Sequence, residues 1–305
     1  MSDGGMRVGV DIGGTKIEGV VVDTAGAVLH QLRLPTGHGP DEVVESAVAV
    51  ITGLASAAGF DASAFGSIGV GIPGTVDSAS GLVSHALNLG VERLELGAVL
   101  SERFGMPVRI ENDVNAAALG AFHVLEQPAT ASIAYLNLGT GLAAGLVLRG
   151  ELWRGSRGAA GEIGHILVDP AGPLDLDGQR GGLEVVASGS GIARQWGSSE
   201  ENTVTAVLDA ADAGDARAVE IRRRLFDGVA SSVRILVLTV DVDLVVIGGG
   251  LSKLNDRLLD GVQSVIEEWE AQSALIQSLE LRNRVRLIPA DAPVAALGAA
   301  HLGAR

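Results

Sequence analysis

A chain of 305 residues is long for one hydrophobic core and suggests two domains at the usual size of about 150 residues each. Its formal net charge of −15 opposes binding to nucleic acid or to an anionic membrane, since both need lysine and arginine to neutralise phosphate. With no cysteine, the chain has no disulfide framework, no thiolate ligands for zinc and no cysteine nucleophile.

The first residues lack the charged start and apolar run of a secretory signal, so a cytoplasmic protein is expected. From Arg7, "RVGVDIGGTKIEGVVVD" reads as strand, glycine turn and strand, and "AVLHQLRLPT" as a third strand of an antiparallel meander. Asp41 is the expected N-cap of a helix running through Ala58, with Glu42 and Glu45 in its first turn. "GSIGVGIPG" is the next strand. A helix near Glu92 to Phe104, the short strand "VRIEN" and a helix starting directly after Asp113 follow.

The second half opens with "ASIAYLNLGTGLAAGLVLRGELW", which lies over the first segment without a gap. Asp11 falls on Asn137, Gly13 on Gly139 and Gly19 on Gly145, so a strand, glycine turn and strand unit occurs twice and favours a duplicated architecture. Helices are expected near Leu183 to Trp196, Thr203 to Ala213, Asp215 to Thr239 and Ser252 to Gln272. Between and after them come the strands "DLVVIGGG" and "VRLIPA" and a terminal helix "PVAALGAAHLGA". The most apolar stretch, "ILVLTVDVDLVVIGGGL", is interrupted by Asp241 and Asp243 and falls short of the roughly 20 apolar residues that span a bilayer. The mixture is that of α/β domains.

Three glycine turns follow strands, at Asp11 to Lys16, Asn137 to Gly141 and Ile247 to Ser252. Glycine permits positive φ and close approach of backbone N–H groups to phosphate oxygens, which lets an acidic chain hold an anion; a tight turn with no ligand is the other reading of each. Neither GxxxxGK[ST] nor GxGxxG is present. "IENDVNAA" puts Glu111, Asn112 and Asp113 at a strand end before a helix, where a carboxylate either takes a proton from a substrate hydroxyl or caps the helix. "GAAGEIGH" offers Glu162 and His165 among glycines, as a polyhydroxyl-binding cluster or as structural residues. HExxH and GxSxG are absent.

The motifs "VDIGGTKI", "GVGIPGTVD", "ALNLG", "IENDVNAAALG", "LNLGTGLAAG", "GAAGEIGH" and "VVIGGGLS" occur in the order found in the ROK family of repressors, open reading frames and kinases. Over almost its whole length the chain resembles that family, and most closely its glucokinase-like sugar kinases. The resemblance implies the actin-like ATPase, ribonuclease H-like fold, with two duplicated α/β domains and a cleft between them. It places a small domain at 1–112, completed by the C-terminal helix 292–305, and a large domain at 113–291. A homodimer acting on a hexose with ATP and Mg²⁺ is implied.

Carried over by motif, Asp113 is the general base toward the sugar 6-hydroxyl, and Gly74, Asn88, Asn112, Glu162, His165 and Glu184 are sugar ligands. Asp11, Gly13, Gly14, Thr15 and Lys16 form the first phosphate motif, with Asp11 reaching Mg²⁺ through water. Gly139, Thr140 and Gly141 form the second, and Gly248, Gly249 and Gly250 hold adenosine. Many members carry a zinc motif, CxCGxxGCxE. Here "DLDGQRGGLE" puts Asp175, Asp177 and Gly182 at the cysteine positions, so no structural zinc is expected. Pro170 and Pro173 are expected to help hold this loop. N-acetylglucosamine, mannose and fructose kinases share most of these residues, and "GGTK" resembles ATP users more than polyphosphate users. A sugar-responsive repressor is disfavoured because no helix-turn-helix precedes Arg7, and a non-catalytic sugar-binding regulator is the rival of a different class.

Overall fold

The computed structural model describes residues 5–175, 178–198, 200 and 202–303. The chain begins with β1 (Arg7–Ile12), β2 (Lys16–Val22), β3 (Val28–Pro35), α1 (Pro40–Ala58) and β4 (Ser67–Ile72). A small hairpin layer follows, β5 (Thr75–Asp77), β6 (Leu82–Ala86) and β7 (Val91–Leu94), then α2 (Leu96–Phe104), β8 (Val108–Asn112) and α3 (Asp113–Val124). The second half holds β9 (Ile133–Leu138), β10 (Leu142–Leu148), β11 (Glu151–Trp153), α4 (Leu183–Ala187), α5 (Gly189–Trp196), α6 (Thr203–Asp212) and α7 (Ala216–Val240). It ends with β12 (Leu244–Gly248), α8 (Asp256–Gln272), α9 (Ala274–Ser278), β13 (Val285–Leu287) and α10 (Val294–His301).

One five-stranded sheet has the order β3-β2-β1-β4-β8 and the other β11-β10-β9-β12-β13. Counting only the strands of each sheet in chain order, each thus runs third, second, first, fourth and fifth, so the repeat seen in the glycine turns extends to a whole topology. The meander of β1, β2 and β3 is antiparallel, and β1, β4 and β8 are parallel. Two compact units result. One comprises the chain up to Ala129, Gly145–Ala160 and everything from Asp291; the other comprises Thr130–Ala144 and Gly161–Ala290.

In the first unit, alternation along β1 turns Val8, Val10 and Ile12 to one face, where all are fully buried. Val43, Ala47, Val50, Ile51 and Leu54 of α1 recur at helical spacing and join them in one core. Each buried valine, leucine or isoleucine among them contributes about 1.5–3 kcal/mol. The opposite face of the sheet carries α10. It comes so close that a Cβ on Gly9 would lie 1.9 Å from the Ala296 carbonyl oxygen. The same helix meets α3 backbone to backbone. A Cβ on Gly298 would lie 1.7 Å from Ala116 O, and one on Gly120 would lie 1.8 Å from Val294 O.

The second unit is built around β9, β12 and β13, which are parallel, with Val245, Val246 and Ile247 of β12 completely buried. Its longest helix, α7, starts where Asp215 accepts a hydrogen bond from Ala218 N, and it buries Ile221, Leu225, Val229, Val233 and Leu236 at helical spacing. Among the described residues no helix is long and apolar enough to cross a membrane.

Several local expectations need correction. Asp41 is not the cap of α1: Gly39 is, Pro40 is the first helical residue with its φ already suited to that place, and Glu42 accepts from His38 N at 2.9 Å. The helix expected from Glu92 begins at Leu96, because Val91–Leu94 pairs with β6 as an edge strand after the left-handed turn at Gly90. The helix expected over Leu183 to Trp196 breaks at Ser188, which is extended (φ −105°, ψ 164°) and caps α5 instead. A 3₁₀ turn at Gly250–Leu254 and a positive φ of 50° at Asn255 delay α8 to Asp256.

At the sheet end of α10, His301 stacks on His123 of α3, with ring centroids 3.6 Å apart and planes 11° from parallel. Arg7 Nη1 lies 3.3 Å from His301 Nδ1. Burial, then His123 and Arg7, lower the His301 pKa to about 3, and burial and Arg7 lower that of His123. A histidine held neutral in the fold but free to protonate when unfolded stabilises above its unfolded pKa, and the contribution is lost as pH falls from about 6.5 toward 3. His301→Phe should therefore flatten the loss of stability over that interval, read as denaturant midpoints at pH 7, 5 and 4. An unchanged slope would contradict the assignment.

Candidate active site

In the first unit, β1, β4 and β8 end together: Asp11 is in register with Gly71 and Ile72 with Asn112. Ligands of open parallel sheets bind at such carboxyl ends. Gly71 lies between the two acidic positions, since a Cβ there would be 3.8 Å from Asp11 Oδ1 and 3.6 Å from Asp113 Cα. The Asp11 pKa is raised to about 8, first by burial and then by the charges of Asp113 and Glu18, its cross-strand partner.

The cap of α3 is Asn112, whose Oδ1 accepts from Val114 N at 2.9 Å and Asn115 N at 3.2 Å. Asp113 is thereby the first helical residue, where the helix dipole favours a negative charge. Asn112 Nδ2 donates to Gly74 O at 3.2 Å. Gly74 has a φ of +95°, so no side chain suits it. A Cβ on Gly14 would lie 3.3 Å from Asn88 Nδ2, which puts Asn88 beside the first glycine turn. That turn is closed by Gly13 N donating to Lys16 O at 2.9 Å, while Gly14, Thr15 and Lys16 are exposed.

In the second unit the corresponding turn is closed by Gly139 N donating to Gly141 O at 3.0 Å. Its carbonyls at Gly139 and Thr140 accept from Gly189 N and Ser190 N at the start of α5, at 2.8 and 3.1 Å. Gly248 is in register with Asn137, and the next residue, Gly249, has a φ of +80° and no room for a Cβ, which would lie 2.6 Å from Leu138 O. The turns at Gly139–Gly141 and Gly248–Gly250 are therefore neighbours at the carboxyl edge of β9 and β12. Glu184, in the first turn of α4, reaches the same region: Oε2 accepts from Leu142 N at 3.1 Å. Exposed Glu162 and His165 flank a short 3₁₀ turn, and a Cβ on its Gly164 would lie 3.3 Å from Glu184 Cβ.

The acidic loop before Glu184 is a hairpin held by its own backbone and by aspartate turns. Asp175 N donates to Gln179 O at 2.8 Å, and its Oδ1 accepts from Gln179 N at 2.7 Å. Asp169 Oδ1 accepts from Ala171 N at 3.0 Å, and Gly181 N donates to Pro173 O at 2.9 Å. Arg180 Nη1 donates to Gly172 O at 3.2 Å. Asp177 lies outside the described residues. Among the described residues no three histidine, cysteine or acidic groups are placed to hold a metal ion.

Sequence reasoning missed Arg154, which donates to the buried Glu111 just before Asn112, and the Ser188–Ser190 cap of α5. The serine–glycine run before an apolar stretch is a cap signal that was there to be used; the pairing of Arg154 with Glu111 has no local signature.

A two-unit fold with the same strand order in each half, and glycine turns at the carboxyl edges, is that of the actin-like ATPases, and the chain is a sugar kinase of that fold. It belongs to the ROK family, which its residues 7–304 match. It is 32% identical over 286 residues to a glucokinase of Halalkalibacterium halodurans, covering 86% of this chain and 85% of that one. Among solved structures it is similar to the ROK hexokinase from Thermus thermophilus (TM-score 0.79, 30% identity, 97% of this chain and 96% of that one). It is likewise similar to a ROK family glucokinase from Streptomyces griseus in complex with glucose and AMPPNP (TM-score 0.75, 30% identity, 98% and 99%).

A carboxyl group whose pKa is raised in the fold costs stability once the unfolded chain ionises. The cost is absent below about pH 3.8 and grows until about pH 8. Asp11→Asn should thus raise the melting temperature of the ligand-free protein at pH 8 while leaving it nearly unchanged at pH 4. A gain independent of pH would show that Asp11 is not strained by its neighbours.

Proposed function

We propose that the chain is an ATP-dependent hexokinase that transfers the γ-phosphate to the 6-hydroxyl of a hexose, with glucose the preferred acceptor and Asp113 the general base. The observation that carries this reading is the placement of Asp113 and Asp11 on either side of Gly71, where a Cβ would lie 3.6 Å from Asp113 Cα and 3.8 Å from Asp11 Oδ1, which puts a candidate base beside the first phosphate turn. Phosphoryl transfer asks for positioning and charge neutralisation more than for covalent help, and such an arrangement suits it.

In this reading Asp113 accepts the hydroxyl proton as the oxygen attacks phosphorus. Asn112, fixed between the helix cap and Gly74, presents its side chain to the sugar with Asn88 close to the first turn. Glu162, His165 and Glu184 accept or donate hydrogen bonds to further hydroxyls. Gly13 to Lys16 and Gly139 to Gly141 line the phosphates, and Gly248 to Gly250 the adenosine. The oxygen-only donor at Asp11, whose pKa burial and then neighbouring carboxylates push up, is one that a hard cation relieves, and Mg²⁺ held there through water would neutralise phosphate charge. The functional division at Asn112 and Asp113, a cytoplasmic site of action and a homodimer belong to the same proposal.

Asp113→Asn should lower turnover by about 10²-fold to 10⁴-fold with unchanged circular dichroism. Turnover within a few-fold of the parent would remove Asp113 as the base. An assay of sugar-phosphate formation across glucose, N-acetylglucosamine, mannose and fructose, with ATP or polyphosphate as donor, should give the highest kcat/KM for glucose with ATP. Sugar binding without sugar-phosphate formation from either donor would instead identify a non-catalytic regulator.

A further inference from the structure

Glu111 is the penultimate residue of β8 and only 2% exposed, yet the chemistry proposed for its neighbours does not use it. Its carboxylate is fully engaged. Oε1 accepts from Asn112 N and from Asn115 Nδ2, each at 3.0 Å. Oε2 accepts from Ser78 Oγ at 3.0 Å and from both Nε and Nη2 of Arg154 at 2.6 Å. Two of the donors therefore belong to the turn that carries Asn112 and Asp113: the backbone of Asn112 and the side chain of Asn115, one helical turn further on. Arg154 supplies the only formal positive charge among these partners. A buried carboxylate that loses its counter-charge either takes up a proton or moves toward water, and both break the geometry of whatever it holds.

Arg154 follows β11, and its carbonyl accepts from Ala160 N at 3.3 Å. The guanidinium thus joins the base of the 154–160 loop to the start of α3.

We propose that Arg154 is a positioning residue for phosphoryl transfer: through Glu111 it fixes the Asn112–Asp113 turn. The inference rests on the reading of Asp113 as the base. A displacement of about 1 Å at a reacting group costs up to 10²-fold in rate, which sets the size of the effect.

Arg154→Met should lower kcat by roughly 30-fold to 100-fold while the KM for ATP changes less than about two-fold. Arg154→Lys keeps the charge but offers one ammonium in place of two aligned guanidinium donors, and should recover most but not all of the rate. Because Arg154 is partly exposed, 40% by side chain, added methylguanidinium should raise the turnover of Arg154→Ala but not that of the parent. A simple loss of stability would not produce that rescue. Should Arg154→Met fail to fold, the lysine variant and the rescue of the alanine variant decide the matter. Folded variants with parental kcat, or an alanine variant indifferent to methylguanidinium, would overturn the proposal. Parental turnover in Asp113→Asn would instead overturn the assignment of the base, so the two failures are distinguishable.

Discussion

The contact between α3 and α10 is the constraint on which the first unit depends. Two helix backbones can approach this closely only where Gly120 and Gly298 carry no side chain, and the same α10 lies directly on β1 at Gly9. The helix that begins with Asp113 is thus located by a segment at the far end of the chain. A tight backbone contact leaves no room for sliding, because any shift turns van der Waals contact into overlap. Loose placement of α3 would move the Asn112–Asp113 turn relative to Asp11, which lies just across Gly71 from it.

The charge distribution has a related logic. A chain of net charge −15 gathers carboxylates at the strand ends where a phosphate donor is proposed to bind, and neither half has the P-loop lysine motif. Each acidic group is instead assigned a separate partner or task. Glu111 is neutralised by Arg154, Glu18 by Arg33 at 2.6 Å, and Asp11 is left strained. An isolated acid that neighbours disfavour is a poor structural element and a good receptor for positive charge, which is why perturbed carboxylates mark functional sites.

Much of this was legible in the sequence. The glycine turns and the gapless overlay of the two halves pointed to a duplicated architecture, because strand and turn signals are local. The helical stretch expected from Asp215 to Thr239 is α7, and its capping bond at Asp215 became visible only in the structure. The layer of β5, β6 and β7 was not legible: its strands are short, and Glu92 and Arg93 look helical until pairing with β6 makes them a strand. The break at Ser188 was legible in the serine–glycine run at 188–191, whose residues are poor helix formers, and the capping bond to Gly191 N at 3.0 Å rewards the extended backbone there. Arg154 and Glu111 are 43 residues apart, and only the folded chain joins them. At the strand end itself the motif pointed to the turn, but which of its two polar residues serves as the helix cap is decided by side-chain geometry at Asn112.

The described part of the segment from Asp169 to Gly182 is held by the polypeptide itself. Asp175, at the first cysteine position of the zinc motif that the resemblance supplies, and Asp169 before it each accept a hydrogen bond from the backbone, while Gly178 and Gly181 adopt left-handed conformations at φ of 81° and 66°. Such a loop contains no sulfur, so reagents that oxidise or alkylate thiols have nothing to attack in it and leave the placement of Glu184 untouched.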